Sequence, residues 1–244
     1  MTVDLDNRHA RHPAKYGATV LDALGALLET EAGTRGRQRL RVLDPFAGTG
    51  RIHILDHDTI GGDLEPEWIG QGCDMGPVVV ADALCLPFAP GSFDAVVTSP
   101  CYGNRLADHH NARDGSVRHS YTHDLGRSLH PASTGRMQWG EPYRVFHQSA
   151  WVACFGVVVP GGLILVNVSD HIRQGEVVPV VAFHVEALEL AGWVVEGVET
   201  VATPRLRFGA NGAARVDGEA IIVARSLGME NGAAAGQVIG EVLS

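Results

Sequence analysis

Lysine is almost absent from this sequence, where Lys15 stands against eighteen arginines, a bias that a GC-rich coding sequence would produce by itself. Long apolar runs are also missing. No stretch of about eighteen apolar residues occurs, and the first thirty positions lack the charged-then-apolar pattern of a secretory signal, so the expected location is the cytoplasm, with no membrane partner. The four cysteines, Cys73, Cys85, Cys101 and Cys154, form no CxxC pair. That spacing argues against a zinc knuckle or a disulfide framework, and reduced thiols with no structural metal are expected. Overall positive charge is lacking too: the formal net charge is -9, awkward for a chain that must neutralise phosphates. The exception is residues 103–144, where six arginines face four acids and five histidines are added, His109, His110, His119, His123 and His130. With 45% apolar and 19% charged residues over 244 positions, one ordinary core can be buried.

Hydrophobic spacing predicts a helix over residues 19–29, with Val20, Leu21, Leu24, Leu27 and Leu28 on one face. Residues 40–46 form an apolar run that ends in Ala47-Gly48-Thr49-Gly50, the pattern of a buried strand entering a glycine turn. Further strands are predicted at 59–64, 78–84, 93–99, 162–168, 193–201 and 219–225, and helices at 143–158 and 178–190, the second stopped by Gly192. Alternating strands and helices predict an α/β fold with a doubly wound, mostly parallel sheet. The last two strands are joined by an aperiodic segment, which predicts a closing antiparallel hairpin. Residues 103–142 lack periodicity altogether, and loops of that length inside a compact domain are usually functional or disordered. The expected organisation is one domain over 1–225, with 103–142 as a recognition insertion, followed by a short tail over 226–244.

Chemistry-bearing residues gather at the predicted strand ends. Asp44-Pro45-Phe46-Ala47-Gly48-Thr49-Gly50 ends the first strand, where glycines let a ligand approach the backbone. A dinucleotide fingerprint aligned on Gly48 and Gly50 would need glycine at position 53, which is His53. Asp63 ends the second strand, where a carboxylate can accept both hydroxyls of a ribose. Asp82 ends the predicted third strand and can accept from an adenine amino group. Thr98-Ser99-Pro100-Cys101-Tyr102 ends the fourth, at the sheet edge where open α/β folds place ligands. Only twelve residues lie between Gly50 and Asp63, so the helix after the glycine turn must be short.

Together these segments resemble the motif series of amino-methyltransferases that act on DNA, over roughly residues 12–170. His12-Pro13-Ala14-Lys15-Tyr16 resembles that family's extra motif, beside the methionine end of the cofactor. The resemblance implies a Rossmann-like class I methyltransferase fold, with a seven-stranded, mostly parallel sheet and a C-terminal antiparallel hairpin. It implies S-adenosyl-L-methionine held by Lys15, Asp44, Phe46, Ala47, Gly48, Gly50, Asp63, Leu64, Asp82, Ala83 and Ser99. Ser99, Pro100 and Tyr102 are the implied catalytic residues. The Ser-Pro-Pro-Tyr form is commonest in enzymes that methylate cytosine N4, and Cys101 replaces its second proline here. Ser99 Oγ and the Pro100 carbonyl would accept the two amino hydrogens, and Tyr102 would stack on a base extruded from the duplex.

Cytosine N4 is therefore favoured over adenine N6, and Arg105, Arg113, Arg118, Arg127 and Arg136 are the candidate contacts to DNA phosphates or guanine edges. Three other readings stay open. An RNA base amine is one acceptor. A second is carbon 5 of a pyrimidine, attacked through a Cys101 thiolate. The third is a cofactor-binding subunit without catalysis.

Overall fold

The protein is described by a computed structural model that covers residues 16–72, 75–103, 120–203 and 218–227. Lys15, Arg105, Arg113, Arg118 and nearly all of the tail lie outside the described residues. The strands are β1 Arg41–Asp44, β2 Asp58–Asp63, β3 Val78–Val80, β4 Phe93–Thr98, β5 Val158–Val168, β6 His171–Arg173, β7 Glu176–Val178, β8 Trp193–Ala202 and β9 Gly218–Ser226. The helices are α1 Ala18–Thr34, α2 Pro66–Gly72, α3 Tyr121–Leu125, α4 Glu141–Val157 and α5 Val180–Leu190. No helix among the described residues is long and apolar enough to cross a membrane.

Seven strands form one sheet in the order β3-β2-β1-β4-β5-β9-β8. Pairings from β3 to β5 are parallel, and β9 runs antiparallel to both β5 and β8. This is the Rossmann-like, mostly parallel sheet with a closing hairpin that the sequence predicts. Side chains alternate between the two faces, as the strand period of two requires. Val42, Ala95, Val97, Leu163, Leu165 and Ile221 face α1 through Val20, Leu21, Leu24 and Leu28. Leu43, Val96, Ile164, Val166 and Ile222 face α4 and α5 through Trp151, Cys154, Ala187 and Leu188. The core is thus a helix–sheet–helix sandwich.

Between β1 and β2 the chain makes only a 3-10 turn, Arg51–Ile54, in place of a full crossover helix. α1, upstream of β1 in sequence, covers the face that this turn leaves open, and Ile52 and Leu55 pack beneath it. The short crossover draws the glycine turn against β2. Gly48 and Gly50 take the left-handed conformation, at φ 53° and 76°, and Ala47 N donates to Gly62 O at 2.9 Å. A Cβ on Gly61 would lie 2.8 Å from Ala47 Cβ and 3.0 Å from Val78 Cγ1, so the turn and β2 meet only over a glycine.

Three departures from the predicted elements have local causes. β3 stops at Val80, which leaves Asp82 in a tight turn closed by Cys85 N donating to Asp82 O at 2.9 Å. α2 and α3 span seven and five residues, too few for an apolar period to show, although Pro66 marks the start of one and Ser120 caps the other. The hairpin of β6 and β7 is likewise three residues per strand. Gly61→Ala is expected to lower stability by about 1–3 kcal/mol, read as a lower urea midpoint at unchanged slope.

Candidate active site

The strand order reverses between β1 and β4, because β2 and β3 build outward on one side and β4 returns to the other. Ligand crevices in open α/β sheets form outside the carboxyl ends at such a point. Asp44 ends β1 there and is fully buried. Its Oδ1 accepts from Thr98 Oγ1 at 2.7 Å and Phe46 N at 3.0 Å, and its Oδ2 accepts from Tyr16 OH at 2.9 Å. Burial pushes the carboxyl up to about 6 against those hydrogen bonds. Asp44 therefore stands behind the crevice wall and joins the ends of β1 and β4 instead of facing a ligand.

The crevice itself has a volume of about 260 Å³. Phe46, Ala47, Asp63, Leu64, Ala83, Ser99, Pro100 and Tyr102 all line it, so eight residues singled out in the sequence converge in space. Asp63 Oδ2 accepts from Gly48 N at 3.0 Å and Oδ1 from Glu65 N at 2.8 Å, while burial raises its carboxyl to about 6. Gly48 thus acts through its amide, which aims Asp63, and Gly50 through its backbone angle. Asp82 departs from the expectation. Ala81 and Ala83 line the crevice, whereas Asp82 lies outside its lining and its Oδ1 accepts from Leu84 N at 2.9 Å.

At the end of β4, Ser99 Oγ lies 3.1 Å from Tyr102 OH, and Asn167 Nδ2 of β5 is 3.2 Å from each. The tyrosine is held by its hydroxyl end in this cluster. Cys101 also lines the crevice, with other partners: its Sγ is 3.5 Å from Tyr121 OH, and it packs with Trp68 and Leu129. Burial pushes the thiol up from its ordinary value, and hydrogen bonds with Tyr121 and Thr134 oppose that shift only in part. The thiolate needed for attack at carbon 6 of a pyrimidine is therefore disfavoured.

A buried chain of hydrogen bonds supports this loop from below. Trp151 Nε1 donates to His184 Nδ1 at 3.2 Å, which places the imidazole proton on Nε2. Nε2 then donates to Tyr143 OH at 2.9 Å, and Tyr143 OH donates to the Cys101 carbonyl at 2.8 Å. Burial, then the neighbouring His147, holds His184 well below the usual imidazole range, which keeps it neutral for this role.

The described half of the insertion closes one side of the crevice. Tyr121, Leu129, Ser133, Thr134 and Gly135 line it, and the neck is fastened where Trp139 N donates to Gly103 O at 3.0 Å. Arg127, expected on nucleic acid, is instead tied to Glu67 at 2.8 Å and to the buried Glu65 at 2.8 Å. Glu65 also accepts from His130 N at 2.7 Å. Arg127 is thus a clasp between the insertion and α2, because two carboxylates already share its guanidinium. Arg136 remains exposed, next to the lining residues Ser133–Gly135.

Solved structures share this architecture. A [4+2]-cyclase, SpnF, matches with a TM-score of 0.53 at 17% identity, over 88% of this chain and 84% of that one. An S-adenosylmethionine-dependent methyltransferase from Methanosarcina mazei gives 0.51 at 12% identity, over 78% and 94%. TrmN from Thermus thermophilus gives 0.51 at 18% identity, and this chain spans 84% of itself but 48% of that protein. The chain has the class I methyltransferase fold. No family model and no curated protein matches the sequence. A cyclase among the neighbours means that the class I methyltransferase fold does not dictate the reaction, which has to be argued from side chains.

Sequence reasoning missed Glu65, Trp68 and Glu219 in the crevice, passed over Asn167, and quoted Tyr16 only as the last residue of the motif that starts at His12. Asn167 had a signal, since it is the lone polar residue in the apolar run 163–168. Tyr143→Phe removes the donor to the Cys101 carbonyl. It is expected to lower the melting temperature by about 2–4 °C, measurable by calorimetry.

Proposed function

We propose that the crevice binds S-adenosyl-L-methionine and that the protein transfers its methyl group to an exocyclic amine of a nucleic-acid base, DNA before RNA and cytosine N4 before adenine N6. The observation that carries this reading is the convergence of Ser99, Pro100 and Tyr102 with Asp63 in the switch-point crevice. The residues present fit the cofactor. Asp63 is a crevice carboxylate with lone pairs beyond its two amide donors, suited to ribose hydroxyls, and Phe46, Leu64 and Ala83 offer apolar sides for an adenine. Bound there, the cofactor supplies an activated methyl group.

An exocyclic amine is a poor nucleophile because its lone pair is delocalised into the ring. Ser99 Oγ and the Pro100 carbonyl accept its hydrogens and favour a pyramidal nitrogen as charge develops. The rest of catalysis is alignment, which a site built on strand ends supplies. The insertion over 103–142 is the proposed recognition element, with Arg136 at the crevice rim and Arg105, Arg113 and Arg118 as further candidate contacts. The raised Cys101 thiol weighs against the carbon-5 alternative.

Nucleoside mass spectrometry on unmethylated DNA and RNA, incubated with protein and heavy-methyl S-adenosylmethionine, tests the reading. Label is expected in N4-methylcytosine or N6-methyladenine from DNA, whereas label only in 5-methylcytosine or RNA, or none, overturns it. Ser99→Ala is expected to lose activity by about 100-fold or more, in the range of a lost electrostatic donor or acceptor, and Cys101→Ala to retain it. Cofactor affinity should also follow Asp63. The ionised carboxylate accepts both ribose hydroxyls, so the dissociation constant of S-adenosylhomocysteine is expected to be flat above about pH 7. It should rise by up to about tenfold per pH unit below the folded value near 6, as titration calorimetry would show.

A further inference from the structure

One polar cluster in the crevice exceeds what amine binding by Ser99 and Pro100 requires. Ser99, just past β4, Asn167 near the end of β5 and Glu219 at the start of β9 are brought together by the register of three adjacent strands, in which Thr98 pairs with Val166 and Asn167 with Ile221. Asn167 Nδ2 lies 2.6 Å from Glu219 Oε2, and Tyr102 OH lies 3.3 Å from the same oxygen. Ser99, Tyr102, Asn167 and Glu219 all line the crevice, and Asn167 is buried.

The carboxylate fixes the direction of the hydrogen bonds among these four side chains. An ionised glutamate only accepts. Asn167 must therefore present its amino group to Glu219, because the opposite orientation would set two acceptor oxygens 2.6 Å apart. Tyr102 must spend its hydrogen on Glu219, which leaves the phenol oxygen as an acceptor toward Ser99. Ser99 then gives its own hydrogen to Tyr102 and accepts one from Asn167. What remains on Ser99 Oγ is a lone pair. With no carboxylate, Tyr102 can donate to Ser99, and the serine hydrogen can turn toward the incoming amine and repel it.

We propose that Glu219 is a positioning residue for methyl transfer that acts through Tyr102 and Asn167, holding Ser99 Oγ as an acceptor and receiving the proton that the amine releases. The proposal rests on the base-amine reading given above. As the amine nitrogen bonds to the methyl carbon, the carbon–sulfur electron pair stays on sulfur. The nitrogen–hydrogen bonding pair returns to nitrogen, and the proton passes to Ser99 Oγ. The serine proton moves to Tyr102 and the tyrosine proton to Glu219, which ends as a neutral acid. The substrate gains a methyl group and loses a proton, the carboxylate gains that proton, and the total charge of the site is unchanged. Glu219 is partly exposed, which gives the proton a way to solvent.

Glu219→Gln keeps the shape and an acceptor oxygen for Asn167 but loses the proton sink. Steady-state kinetics on unmethylated DNA are expected to show kcat lower by about 100-fold, the lower end for a positioned acid or base, with KM for DNA unchanged within about twofold. Binding of S-adenosylhomocysteine, followed by calorimetry, is expected to stay within about threefold, and Glu219→Asp to recover part of kcat. In the double variant with Ser99→Ala, Glu219→Gln should add little further loss, because both act through one hydroxyl. A Glu219→Gln enzyme with kcat within twofold of wild type, fully additive losses, or lost cofactor binding would each overturn the relay while leaving methyl transfer standing. A wild-type protein that methylates no nucleic acid overturns the base-amine reading, and this assignment with it.

Discussion

The buried carboxylate of Asp44 is the constraint around which the site is organised. It sits where the sheet changes winding direction, and it binds the ends of β1 and β4 together through Thr98 while Tyr16 and the Phe46 amide close its other lone pairs. An ionised group in such surroundings is tolerated only with several donors, since desolvation penalises the charged form. Removal of any one donor leaves a charge less well solvated than before. The glycine turn and the Ser99–Tyr102 loop, which both line the crevice, are thereby set at a fixed separation by one fully buried side chain.

A second carboxylate, that of Glu65, organises the insertion in the same manner. It is buried, and it draws Arg127 and the His130 amide onto α2, so part of the segment that looked like a free loop is a fitted wall. Arginine suits this task because its planar fork satisfies Glu65 and Glu67 together. Charge counting along the sequence credits Arg127 to an external phosphate, although its partners lie sixty or so positions upstream.

The sheet was legible because its strands are apolar runs of β-branched residues separated by turns, and because strand ends carry their own punctuation at Gly48, Gly50 and Gly62. The crevice residues next to that punctuation, Phe46, Ala47, Asp63, Leu64 and the Ser99–Tyr102 tetrapeptide, were legible for the same reason. What sequence could not give is contact between distant segments. Asp44 reads as a ligand-binding acid, and only three-dimensional contacts show that it faces inward. Glu219 sits at the start of a strand that the sequence does predict, but its relation to Ser99 follows from the sheet order β4-β5-β9, which no local pattern encodes. Asp82 was misplaced because the run 78–84 keeps its apolar character past the end of pairing at Val80.

The truncated crossover after β1 has a consequence for synthesis on the ribosome. With only a 3-10 turn there, one layer of the sandwich falls to α1, whose Glu31 is pinned by Arg225 of β9 across 194 positions. Leu165 and Ile221, which pack against the helix, are also translated late. At roughly 5–20 residues per second the helix waits on the order of 10–40 s with its apolar face only partly covered. The nascent chain therefore has an early amphipathic segment that must be shielded until its last partner strand emerges.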